Sequence, residues 1–175
     1  MVDHECHEYE NNFSRGQNAN TLLMFHRYRH ESDIYPSLSR IPLDVRMKLD
    51  MTGIKISLKD WLSFGIEERT VLCQLPVETD EEKQTFSSYL DFLSRRYQGE
   101  SVKTTAAISS SLWDNGGLVP EPVSGKYRPE IAPISADEWR HWNSCQRYAL
   151  YKTALSRSEP EHFFALLKEL RELKA

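Results

Sequence analysis

Cysteine is scarce in this chain of 175 residues: Cys6, Cys73 and Cys145 are odd in number and far apart. That spacing offers no disulfide framework and no C-x-x-C pair, so three free thiols in a reduced, cytoplasmic protein are expected. Apolar runs are short. None approaches the roughly 18 residues of a membrane span, and Met1-Val2-Asp3-His4-Glu5 has neither the basic nor the apolar region of an export signal. Positive charge is not in excess, since 26 acidic residues oppose 22 basic ones for a net charge of −4. This balance disfavours a generic binder of nucleic acid or anionic membrane. The phosphate-cradling glycine loops, H-E-x-x-H and EF-hand loops are missing as well, which removes the commonest nucleotide, zinc-protease and calcium readings.

What is present begins with a polar stretch. Residues 1–30, with Glu-Asn-Asn and Arg-Gly-Gln-Asn-Ala-Asn runs, read as a mobile tail, and residues 31–175 as one compact domain. His4, Cys6 and His7, followed by His26 and His30 at i, i+4 spacing, are the nearest approach to a metal cluster. Zinc sites normally draw closely spaced ligand pairs from ordered elements, so the expectation is no metal and no cofactor.

The richest signal is internal repetition. A shift of 78 positions lays Ile56-Ser57-Leu58-Lys59-Asp60-Trp61 on Ile134-Ser135-Ala136-Asp137-Glu138-Trp139, then Phe64 on Trp142, Glu68 on Gln146, Arg69 on Arg147 and Leu72 on Leu150. The matched residues share mechanical jobs. Ser57 and Ser135 are N-cap residues, Asp60 and Glu138 can close capping boxes, and each isoleucine can staple to its tryptophan. Convergent helix starts are the alternative to duplication. Each copy reads as three helices: 57–64, 66–75 and 79–97 in the first, 135–142, 145–156 and one from 158 in the second. Leu43 to Met51 alternates apolar and polar residues as a strand would. Good helix formers, Pro42 at the start and Gly53 at the end favour a helix, with a hairpin at Thr52-Gly53 as the alternative. The fold expected is all-α: a first unit over 31–99 including one extra N-terminal helix, a Pro/Gly-rich connection over 100–133, and a second unit over 134–175.

Ser37-Leu38-Ser39-Arg40-Ile41-Pro42-Leu43-Asp44-Val45-Arg46-Met47-Lys48-Leu49-Asp50, followed by Gly53-Ile54-Lys55-Ile56-Ser57-Leu58-Lys59-Asp60-Trp61, resembles the nitrate reductase-associated protein family. Trp139, Gln146-Arg147-Tyr148-Ala149-Leu150, Lys152 and Leu155-Ser156-Arg157 resemble its C-terminal segment, and Arg40 departs from it where the family often has cysteine. The resemblance spans about 31–173. It implies a genomic setting beside assimilatory nitrate reductase and molybdenum-cofactor genes, with those proteins as expected partners, and it carries over no established catalytic activity.

Candidate residues are argued from their chemistry. Arg69 and Arg147 take equivalent places in the copies: either each makes an inter-helix ion pair, to Asp60 or Glu138, or the two converge on an anion such as nitrate or phosphate. Gln146 falls among Trp139, Trp142 and Leu150 on the helical wheel, which predicts a buried, hydrogen-bonded amide or a pocket-lining one. Arg46, Lys48 and Asp50, with Lys55 and Lys59, read as a mixed-charge surface on which a partner would dock, and Lys152 joins the candidates through the resemblance. Three functions follow: a non-catalytic accessory protein of nitrate assimilation, a small-anion or metabolite binder or enzyme with its site between the units, and a helix-turn-helix nucleic-acid binder. Lys59 and Arg69 against Asp60, Glu67 and Glu68 weigh against the last.

Overall fold

The structure is a computed structural model that describes residues 25–157 and 159–173. Its first helix, α1 (Leu43–Thr52), explains the ambiguous alternation. At 100° per residue, positions two apart point to opposite sides of a helix, while positions four apart share a side. Leu43 and Met47 therefore face one hydrophobic cluster, and Val45 and Leu49 face another. Asp44 and Lys48 lie in the buried seam between the two, and Arg46 takes the exposed side. A period-two pattern here marks a helix sandwiched between two cores. Gly53 ends it at φ 67°, and Ile54, 5% exposed, packs back. An added Cβ at Gly53 would stand 2.4 Å from the Thr105 carbonyl oxygen, so the close approach as well as the positive φ requires glycine.

The helices of the first half are α2 (Leu58–Ser63), α3 (Ile66–Gln74) and α4 (Asp80–Gln98). Ser57 and Asp60 close a capping box on α2, and Thr79 and Glu82 close another on α4. Gly99, at φ 77°, terminates α4 as its position predicts. Phe86, Leu90 and Leu93 pack inward, whereas Tyr97 is 40% exposed at the helix end. In the second half, after the four-residue helix α5 (Glu121–Ser124), come α6 (Ala136–His141), α7 (Ser144–Leu155) and α8 (Pro160–Glu172). Ser135 accepts from the Glu138 N–H, while the Glu138 carboxylate holds Arg171 at 2.7 Å. Among the described residues the strands are only β1 (Ile54–Lys55) and β2 (Lys103–Thr104), an antiparallel pair. The fold is all-α.

Trp61, Phe64, Leu72, Phe86, Leu90 and Leu93 build the cluster on the Val45 side, with Ile56 packed against it. Trp139, Trp142, Tyr148, Leu150, Phe163 and Leu167 build the other, with Ile134 against it. The staple positions therefore sit where the sequence puts them. The connection over 100–133 contributes to this second core: Trp113 is 0% exposed, its ring edge-on to Tyr148 at 4.9 Å.

One expectation needs correction at the N-terminal side. Residues 25–30, assigned to the tail by composition, pack on the body: Tyr28 is 4% exposed and its hydroxyl donates to the Cys145 carbonyl at 3.1 Å. A single buried tyrosine with a satisfied hydroxyl anchors a segment whose neighbours look dispensable. Residues 1–24, including His4, Cys6 and His7, lie outside the described residues. Cys73 and Cys145 are both free and buried.

Candidate functional site

Between the segment 29–46 and the α7–α8 connection opens a cavity of about 300 Å³. The 3-10 turn Arg29–Glu31 and the start of α1 supply one wall, with Glu31, Ile34, Arg40 and Arg46. The end of α7 and the start of α8 supply the other, with Lys152, Thr153, Ser156, Glu159 and His162. Three cations thus line one concavity.

Each is positioned by an identifiable contact. Arg46 donates from Nε to the Ile41 carbonyl at 3.0 Å. The Arg40 guanidinium pairs with Asp33 at 2.9 Å, and Lys152 Nζ lies 2.7 Å from Asp50 Oδ2. Asp50 also accepts from the Tyr148 hydroxyl at 2.7 Å, which sets the carboxylate between α1 and α7. Pro42 has no cap side chain to offer α1, and Glu31 does that work from outside the helix by accepting the Leu43 N–H at 3.0 Å and the Tyr35 hydroxyl at 3.0 Å.

Burial tunes two groups on this wall in opposite ways. Desolvation, helped by His162 and Arg40, lowers the His30 imidazole to about 4. Desolvation raises the Glu31 carboxyl to about 6, against the pull of its hydrogen bonds from Tyr35 and Leu43. Both favour the uncharged form. The His30 contribution to stability is complete above its unfolded value and is lost as pH falls from 6.5 to 4, because only the unfolded chain gains the proton there. The Glu31 contribution has the opposite sign: it is complete below 4.5 and is lost as pH rises through 6. Urea unfolding at pH 7 and pH 4.5 tests this. His30→Asn should be less acid-sensitive than the wild type, and Glu31→Gln more so; parallel pH dependences in all three proteins would contradict the assignment.

The sequence pattern of the conserved nitrate reductase-associated proteins matches residues 27–170. The chain belongs to this family. That description links its members to nitrate reductase. No curated protein and no solved structure matches the chain.

Of the residues singled out in this nitrate reductase-associated protein by sequence, the structure brings Arg46 and Lys152 into the cavity wall and Asp50 behind it. The others lie elsewhere. Lys48 is no surface cation: it is 2% exposed, with Nζ 2.6 Å from the Cys73 carbonyl and 3.0 Å from Asp44 Oδ2. The dense apolar neighbours on both sides of α1 put it in the seam. Gln146 is no pocket amide either. Its Oε1 accepts from the Asn143 N–H at 3.0 Å, closing a capping box on α7, which helical-wheel reasoning overlooks because it weighs the apolar face and not the distance from the helix start. Glu68 does the same for Gly65 at 2.7 Å.

Arg69 donates from Nη1 to the Leu38 carbonyl at 3.0 Å, and Arg147 pairs with Asp114 at 2.8 Å. The expected partners are otherwise engaged: Asp60 caps Ser57 and Glu138 holds Arg171. Neither arginine lines the cavity. The Leu38 backbone, at φ 48°, is strained for a residue other than glycine, and its carbonyl also accepts from the Trp61 indole at 2.7 Å. Sequence reasoning missed Glu31, Glu159 and His162. The contact of 30–46 with 152–162 is long-range and leaves no period or motif to detect.

Proposed function

We propose that this protein is a non-catalytic accessory factor of nitrate assimilation, acting on nitrate reductase or on a protein that supplies its molybdenum cofactor. The family match across residues 27–170 carries this reading. The geometry supports it by tying most of the charged candidates into the fold. Lys48 and Asp44 hold the seam, Asp50 joins α1 to α7, and Gln146 caps a helix. Among the described residues no helix is long and apolar enough to cross a membrane, which agrees with a partner met in an aqueous compartment.

A second reading is favoured by the cavity itself. Arg40, Arg46 and Lys152 on its wall suit a small anion or anionic metabolite held between the two helical groups. One comparison separates the readings. The tagged full chain is recovered from nitrate-grown and ammonium-grown cells, as wild type and as Arg46→Ala/Lys152→Ala. The accessory role predicts that a reductase or cofactor-insertion protein co-purifies in nitrate-grown cells only. Its absence, together with nitrate- or molybdate-dependent thermal stabilisation that the double variant loses, would replace the accessory role with anion binding.

A further inference from the structure

We propose that His26, Asp44 and Cys145 form a zinc site with three protein ligands and one open position. An imidazole nitrogen, a carboxylate oxygen and the thiol sulfur lie within 4.8 Å of one another. A tetrahedral zinc ion with bonds of about 2.0–2.3 Å holds neighbouring ligand atoms about 3.3–3.8 Å apart. Closure thus asks only for side-chain shifts on the order of 1 Å.

The surroundings favour a ligand set over an ordinary polar cluster. Asp44 is 4% and Cys145 2% exposed, and a buried thiol, carboxylate and imidazole seldom gather without a shared partner. His26 Nδ1 is buried, lies 3.8 Å from Asp44 Oδ1 and has no hydrogen-bond partner. Lys48 Nζ sits 3.0 Å from the other oxygen, Oδ2, and so fixes the carboxylate with Oδ1 turned towards His26. Cys145 occupies the first turn of the 12-residue helix α7, so its sulfur is presented from an ordered element.

The donor set selects the metal. Nitrogen, oxygen and sulfur together suit zinc, whereas magnesium and calcium reject the sulfur. On binding, the thiol proton leaves to solvent and the sulfur lone pair forms the bond to zinc. Aspartate and thiolate then offset the dication, with the Lys48 ammonium remaining beside Asp44 Oδ2. The partly exposed edge of His26 gives the ion its way in, and a water molecule can take the fourth position. The three ligands come from the segment before the first turn, from α1 and from α7, so the ion would fasten the N-terminal segment to the seam. This site is separate from the cavity and does not rest on the accessory role.

The test uses the full 175-residue chain, stripped with chelator and titrated with cobalt(II), then with zinc. One cobalt per chain should bind with a thiolate-to-cobalt charge-transfer absorption, and zinc should displace it. Cys145→Ser should abolish the absorption, and His26→Ala should weaken cobalt at least about tenfold. Cys6→Ser and Cys73→Ser should leave both properties unchanged. The proposal fails if no stoichiometric cobalt binds, if Cys145→Ser keeps the absorption, or if Cys6→Ser removes it. Should Cys145→Ser not fold, unchanged cobalt affinity in His26→Ala overturns the site alone.

Discussion

Replacing Lys48 with alanine should destabilise the protein by about 3–5 kcal/mol in urea unfolding with chelator present, the cost of stranding a buried charge. The variant leaves the Asp44 carboxylate, 4% exposed, without the ammonium 3.0 Å away, and leaves the Cys73 carbonyl without its donor. Desolvation of that carboxylate, rather than loss of attraction, accounts for most of the effect. The control follows from the same physics. Lys48→Met with Asp44→Leu removes both charges and keeps the volume, so it should recover most of the loss. A single variant that unfolds within about 1 kcal/mol of the wild type would show that the seam is wet and the pair screened.

Trp113→Ala should cost about 3–5 kcal/mol, as large aromatic truncations in cores do. The ring is fully buried, packs edge-on to Tyr148 at 4.9 Å and near Tyr151 at 6.0 Å, and donates to Ser144 Oγ at 3.3 Å. Trp113→Phe should recover the larger part of that loss by keeping an aromatic body in the site. Because Trp113 belongs to a connection rich in glycine and proline, the alternative is a dispensable linker residue. A calorimetric melting temperature unchanged in Trp113→Ala would decide for the linker.

Local chemistry was legible in the residues, and long-range geometry was not. Ser57 with Asp60, Thr79 with Glu82, Gly53 and Gly99 each announce a helix boundary through hydrogen bonds or a left-handed cap that neighbours in sequence complete. The tryptophans at 61 and 139 announce core positions, and both are fully buried. Lys48 was misjudged because charge predicts exposure unless a partner four residues away shares the same stripe, and only the packing on both sides of α1 shows that it does. Gln146 was misjudged because the wheel reports which way a side chain points and not that the third helical position can reach back to the cap N–H. The cavity escaped altogether, since Glu31 and His162 line it from 131 positions apart and carry no common pattern. That residues 56–93 and 134–171 are two copies of one unit stays a proposal. Glu68 and Gln146 support it, since each accepts from the backbone N–H three residues before it, whereas Arg69 and Arg147, which follow them, bind different partners.

Helix α1 gives one face to each hydrophobic cluster, which makes it a keel common to both halves. Melting should therefore be one cooperative event, because neither cluster can dissolve without opening a face of the helix that completes the other. A chain cut within the connection would leave its C-terminal piece lacking Leu43 and Met47, with an apolar trough where the keel belongs. Such a piece has a strong reason to seek the other fragment, and none to fold by itself.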